Sequence, residues 1–118
     1  MKDTSPSLLQ WQWSVYDAAH RNRANLLIHI ATAPLFVAAT IALAAAAFVL
    51  SWAMAVASLL VMAAAIALQG KGHALEAEPP QPFRGAWDLI ARVFAEQFVT
   101  FPRFVLSGHW RRNLAHHR

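Results

Sequence analysis

Residues Ala24 to Gly70 read ANLLIHIATAPLFVAATIALAAAAFVLSWAMAVASLLVMAAAIALQG, without a single Asp, Glu, Lys or Arg. The one titratable side chain among them is His29. Residues 31–68 are almost wholly Ala, Val, Leu, Ile, Phe and Met. As one helix they would run about 57 Å, nearly twice the ~30 Å hydrocarbon core of a bilayer. Two antiparallel helices fit. The stretch therefore predicts a transmembrane hairpin with spans at 26–48 and 52–69. Its turn is placed at Ser51-Trp52, since Trp favours the membrane interface. The other arrangement the pattern allows is a water-soluble bundle burying the same two helices.

The composition of the 118-residue chain agrees with a hairpin in lipid. Hydrophobic residues make up 58% and charged residues 14%, against about 25% charged in a typical soluble domain. So few charges cover a soluble surface poorly, and so much apolar content excludes an ordinary disordered chain. There is no cysteine, which excludes disulfides, thiolate metal sites and cysteine nucleophiles. The formal net charge is +4. In an apolar chain that excess suits anionic lipid headgroups. No basic stripe or RNA-binding aromatic motif is visible, so nucleic acid is not an expected partner. The polar residues 1–10 do not resemble a cleavable signal peptide. Arg21 and Arg23 flank the first span, Lys71 and Arg84 follow the second, and the turn is uncharged. The positive-inside rule then predicts both termini in the cytoplasm.

The flanks predict amphipathic helices. Residues 7–22 follow Ser5-Pro6, with Ser5 as N-cap and Pro6 at the first helical position. Leu9, Trp13, Tyr16 and His20 share one face. Glu78-Pro79-Pro80-Gln81-Pro82 is a rigid loop. Residues 86–106 form an amphipathic or re-entrant helix with Trp87, Ile90, Phe94, Phe98 and Phe101 on its apolar side. Asp88, Arg92 and Glu96 recur every four residues with alternating sign, a solvated or pore-facing salt-bridge row. Pro102 breaks or kinks this helix. The expected fold is an all-α integral membrane helical bundle: one membrane domain, a transmembrane hairpin with flanking amphipathic helices.

Three histidines carry the candidate chemistry. His29 lies inside the first span, where an ionisable side chain is costly and faces a protein interior with a partner. Asn25, one turn earlier, could hydrogen-bond a ring nitrogen and fix its tautomer. His20 lies beside Tyr16. On one straight helix His20 and His29 would stand about 180° apart, so sharing an ion requires a break near Arg23–Asn25, with Asn25 as N-cap. His73 follows the second span, with Glu76 on the same face if that segment is helical. A hairpin returns all three histidines to one side of the membrane. Imidazoles with a carboxylate suit iron(II), manganese or zinc. Each histidine taken alone also has an ordinary reading, as an interhelical, interfacial or loop residue.

The ordered string Tyr16-x3-His20-x4-Asn25-x3-His29-x4-Pro34, with Gly72-His73 followed by Glu and Pro, resembles the small membrane 2-hydroxy fatty acid α-dioxygenases. That family includes the fungal phytosphingosine-breakdown dioxygenase. The likeness covers residues 14–106, and Phe98 to Gly108 resembles a bacterial-type branch. It implies an iron(II)-dependent reaction of a 2-hydroxy fatty acid, or a similar lipid acid, with O2. The product would be a fatty acid one carbon shorter, made at a bacterial inner membrane. It implies His20, His29 and His73 as catalytic iron ligands, with Glu76 as the carboxylate at the metal, and Tyr16 and Asn25 as their supports. The chain departs from the pattern at Thr32, where a Gly is expected, and at Glu76, three residues after His73 rather than four. On this reading Arg21, Arg23 or Lys71 neutralises the substrate carboxylate, and the alkyl chain lies between the Ala-rich spans. Two alternatives are a non-enzymatic membrane hairpin with structural histidines and a bis-histidine haem protein. A small hairpin also gains burial by forming a homo-oligomer, whose number the sequence does not fix.

Overall fold

A computed structural model describes residues 5–116, and among them every regular element is helical. Helix α1 is Leu8–Tyr16. It starts at Ser7 rather than Ser5, because Ser7 and Gln10 form a reciprocal capping box. The Gln10 N–H donates to Ser7 Oγ at 3.2 Å and the Ser7 N–H to Gln10 Oε1 at 2.9 Å. The chain does not run on as one helix to residue 22. A 3-10 turn, Ala18–His20, follows, and helix α2, Arg23–Val49, begins afresh. Its N-cap is Asn22, whose side chain accepts from the Asn25 N–H at 3.1 Å. The break foreseen at Arg23–Asn25 therefore exists, but the cap lies three residues earlier.

Helix α3 is Trp52–His73. Between α2 and α3 the chain reverses at Leu50, the one described non-glycine residue with positive φ (52°). Ser51 then caps α3 by accepting from the Met54 N–H at 3.2 Å. The two helices, of 27 and 22 residues, are each long and apolar enough to cross a membrane. Only 33% and 17% of their apolar windows are buried inside the protein, whereas the core helix of a soluble bundle is mostly enclosed. Phe48 at 90% exposure and Trp52 at 85% mark the uncovered tip.

Helix α4, Ala86–Ala95, passes into a π-helical turn, Glu96–Thr100, and then into α5, Phe101–Ser107. Pro102 has no N–H to return, and its ring crowds the preceding turn. The chain answers by widening: the Phe101 N–H reaches back to the Glu96 carbonyl, five residues away. The extra residue re-aims the side chains around it. Gln97, Thr100, Phe101 and Phe104 are buried, while Trp87 is 83% exposed and Ile90 and Phe98 face outward. The expected salt-bridge row is thus split. Arg92 pairs with Asp88 at 3.3 Å, and Glu96 turns to the histidines. Helix α6, His109–His116, closes the order.

The small apolar core is Tyr16, Leu26, Ala33, Phe101 and Phe104, with Trp13, Ile30, Trp110 and Leu114 against it. Polar side chains fill much of the rest. On α1 the buried residues are Gln12 and Tyr16, while Leu9 faces out. Gln12 donates to the Arg92 carbonyl at 3.0 Å and is bonded to Thr100. Gln69 and Gln97 exchange amide hydrogen bonds of 3.0 and 2.7 Å, and Gln69 also donates to Thr32. These bonds tie the π turn to α1 and to the hairpin.

Candidate metal centre

The 3-10 turn and the fresh start of α2 bring His20 against His29, and the end of α3 supplies His73. Ring centroids stand 4.6 Å apart for His20–His29 and 4.8 Å for each of the other two pairs. Glu96, delivered by the π turn, completes the group. One ligand atom from each of the four residues lies within 4.8 Å of the other three. Glu96 Oε2 is 3.4 Å from His20 Nε2 and 3.3 Å from His29 Nε2.

Backbone carbonyls set the tautomers. His20 Nδ1 lies 2.8 Å from the Tyr16 carbonyl and His29 Nδ1 3.0 Å from the Asn25 carbonyl. A carbonyl only accepts, so Nδ1 carries the proton in both rings and Nε2 presents a lone pair. His73 is held by the Ala19 backbone. His20 Nε2, His29 Nε2 and His73 Nδ1 are all buried without a hydrogen-bond partner. Buried acceptors facing a carboxylate, with no donor among them, fit a cation. The donor set of three imidazoles and one carboxylate is one that divalent transition metals take.

Tyr16 braces the group. Its ring stacks on His20 at 3.8 Å, and its hydroxyl donates to Glu96 Oε2 at 2.6 Å. Burial, then the Glu96 charge and this hydrogen bond, push the Tyr16 hydroxyl well above its ordinary range. Burial would raise the Glu96 carboxyl. Without a metal, protons on Nε2 of His20 and His29 would supply hydrogen bonds and charge that outweigh it and hold the carboxyl well below its usual range.

Glu76, expected as the carboxylate ligand, stands outside the cluster. Its carboxylate accepts from the N–H groups of Arg21 and Asn22 at 3.0 Å and from Asn25 Nδ2 at 2.6 Å. It therefore caps the start of α2, where free amides and the helix dipole attract an anion. The Asn25 side chain is committed there and to the Ala19 carbonyl, so it serves His29 through its backbone only. Arg21 pairs with Asp17 at 3.6 Å, Arg23 reaches the Leu114 carbonyl, and Lys71 is exposed. From α6, Asn113 donates to Asp17 and to the His20 carbonyl, which pins the 3-10 turn from outside.

A cavity of about 630 Å³ opens beside the cluster, between α1, α3, α4 and the proline-rich strap at Pro79–Phe83. His20, His73 and Glu96 form part of its wall, and Arg21, Arg23 and Lys71 do not line it. The strap is fixed by Arg92, whose guanidinium donates to the carbonyls of Gln81 (2.9 Å) and Pro82 (3.2 Å). The same group lies over the rings of Phe83 at 4.3 Å and Trp11 at 4.9 Å.

Glu96 is the residue that sequence reasoning misplaced. Its spacing from Arg92 reads as an ion pair, yet Arg92 already has Asp88 one turn before it. An acid left over between Phe94 and Phe98 was the available signal.

Compared with known proteins, residues 7–103 match a family model described as Mpo1-like, 2-hydroxy-palmitic acid dioxygenase Mpo1-like. No curated protein matches the chain, and no solved structure does.

Proposed function

The chain belongs to the Mpo1-like family, and from that premise we propose that it is an iron(II)-dependent membrane dioxygenase of 2-hydroxy fatty acids. The observation that carries this reading is the convergence of three unpartnered imidazole nitrogens and Glu96 at one buried point. His20, His29, His73 and Glu96 would hold the ion. Iron(II) there would activate O2 and offer positions to the substrate's carboxylate and 2-hydroxyl.

The stoichiometry closes without a separate reductant. Cleaving the C1–C2 bond of a 2-hydroxy acid to give the shorter acid and CO2 releases four electrons. One O2 takes them up, and a molecule of water leaves. The protein's own part is to hold the donors and to limit water. The Tyr16, Asn25 and Ala19 carbonyls keep the imidazoles in register, and the Tyr16 hydroxyl fixes Glu96. The strap covers the approach. The arginines near the hairpin's open end and its uncharged tip support a hairpin that spans the membrane with both termini in the cytoplasm. Axial haem ligation is disfavoured, because it needs two imidazoles on opposite faces of a macrocycle rather than four donors around one point.

The test is elemental analysis of tag-free protein in mild detergent, with oxygen consumption on 2-hydroxypalmitic acid. Near-stoichiometric iron, lost in His29→Ala and His73→Ala together with turnover, is expected. Well-folded protein that takes up no metal under anaerobic iron loading, or turnover unchanged in both variants, would overturn the proposal. Stoichiometric zinc that iron does not displace would keep the site and refute the oxygenase.

A further inference from the structure

Helix α3 turns one stripe towards the cavity: Ile66, Gln69, Gly70, His73 and Ala74, at the spacing of a single helical face. In the middle of that stripe Gly70 is exposed and leaves the cavity open along α3. A Cβ built there meets nothing within 4 Å, one turn before His73. Around that opening the wall is largely apolar, with Val15, Ala18, Pro80, Phe83 and Val93 among its residues. The volume falls in the range, roughly 300–1,000 Å³, that encloses small organic ligands.

Charge gives the cavity a direction. Among the described residues Arg92 is its one lining cation, and that guanidinium is already committed to Gln81, Pro82 and Asp88. The described lining thus offers no free cation to an acid headgroup, while the cluster beside it presents a metal-binding donor set. The space between α2 and α3, where the sequence suggested an alkyl chain, is closed near the cluster. A Cβ on Gly72 would come within 2.3 Å of Asn25 Oδ1.

We propose that Gly70 is a specificity-determining position whose missing side chain makes room for the substrate's acyl chain. That chain runs from the histidine–glutamate cluster along α3, beneath the Pro79–Phe83 strap. The inference rests on the dioxygenase reading for the headgroup and on the cavity alone for the chain.

Gly70→Leu adds a side chain whose Cβ meets nothing within 4 Å, and it replaces a poor helix former with a good one, so the variant should fold. Two readouts are taken in lipid nanodiscs. The first is kcat/KM across 2-hydroxy acids from octanoic to hexadecanoic. The second is binding of plain hexadecanoic acid, which lacks the reacting hydroxyl, followed by calorimetry. In Gly70→Leu the long-to-short ratio of kcat/KM is expected to fall at least about tenfold, the scale on which pocket methylenes discriminate. Hexadecanoic acid binding should weaken in parallel, with metal content as in the parent. An unchanged ratio with unchanged binding overturns the inference and leaves the dioxygenase reading standing. If the parent turns over no 2-hydroxy acid, the binding arm decides. Weakened binding in Gly70→Leu then upholds the cavity while the dioxygenase reading falls, and retained binding overturns the inference.

Discussion

Replacing Gly72 with alanine would place a methyl group 2.3 Å from Asn25 Oδ1, 3.2 Å from its Cγ and 3.3 Å from its Cα. The last contact is backbone, so side-chain motion alone relieves the clash only in part. Either α2 and α3 part slightly, at the roughly 1–3 kcal/mol typical of overpacking, or Asn25 rotates away. Rotation gives up its 2.6 Å bond to the Glu76 carboxylate, a charge-assisted contact worth about 1.5–3 kcal/mol. Alanine in place of helical glycine returns about 0.5–1 kcal/mol. The net expectation is a loss of about 1–2 kcal/mol, a factor of roughly 5–30 in the folded-to-unfolded ratio. Gly70→Ala is the matched control, because nothing lies within 4 Å of its Cβ position; it should gain up to about 1 kcal/mol. Urea unfolding of both variants in mild detergent, followed by circular dichroism, measures the difference. If Gly72→Ala proves as stable as Gly70→Ala, the close crossing does not fix the geometry of α2 and α3 as argued.

The two carboxylates should separate by phenotype. Glu96→Gln is expected to fold and lose metal affinity, whereas Glu76→Gln should keep its metal and lose about 1–3 kcal/mol of stability from mismatched buried donors; elemental analysis and unfolding curves check both, and the opposite pattern would sink the assignment. Tyr16→Phe removes the hydroxyl that braces Glu96 and should lower metal affinity or activity about 10–100-fold, as losing an outer hydrogen bond to a ligand typically does; competition with a chelator would read it. Arg92→Lys loses the forked grip on Gln81 and Pro82 and the stacking on Trp11 and Phe83, so limited proteolysis should cut at the strap faster than in the parent. In metal-free protein the depressed Glu96 carboxyl adds stability that is full above its ordinary value and is lost as pH falls through the depressed one. Parent and Glu96→Gln unfolding midpoints should therefore converge only in strong acid, and convergence near neutral pH would contradict this.

The hairpin was legible because a long run without charge admits few folds, and the histidine trio because ionisable residues are scarce beside it. The break between His20 and His29 was legible as a geometric need. Its cap was displaced because Asn22 and Asn25 are equally good cap residues, and only the Glu76 carboxylate over the Asn22 amide selects between them. Glu96 was hidden for a different reason. Periodicity arguments assume 3.6 residues per turn; Pro102 announces a break in this helix, but not that the break takes the form of a π turn at Glu96–Thr100 that adds a residue. On α4, Trp87, Leu89 and Ile90 are exposed while Arg92 is buried. The identity of a helix's buried side depends on its solvent, and the exposure of Trp87 and Ile90 is what a lipid-facing helix would show.

That inversion reverses the usual map of mutational tolerance. Lipid tails are as apolar as leucine, so in a bilayer apolar contact gives little reason for one helix to prefer another. Cohesion between α1, the hairpin and the π turn then falls largely to the amides and hydroxyls of Gln12, Gln69, Gln97, Thr32 and Thr100. Exchanges among Leu, Ile, Val and Phe on the outer faces should be nearly silent. A change such as Gln97→Leu, which a hydropathy scale would score as harmless in a membrane protein, should instead unfasten the segment that carries Glu96.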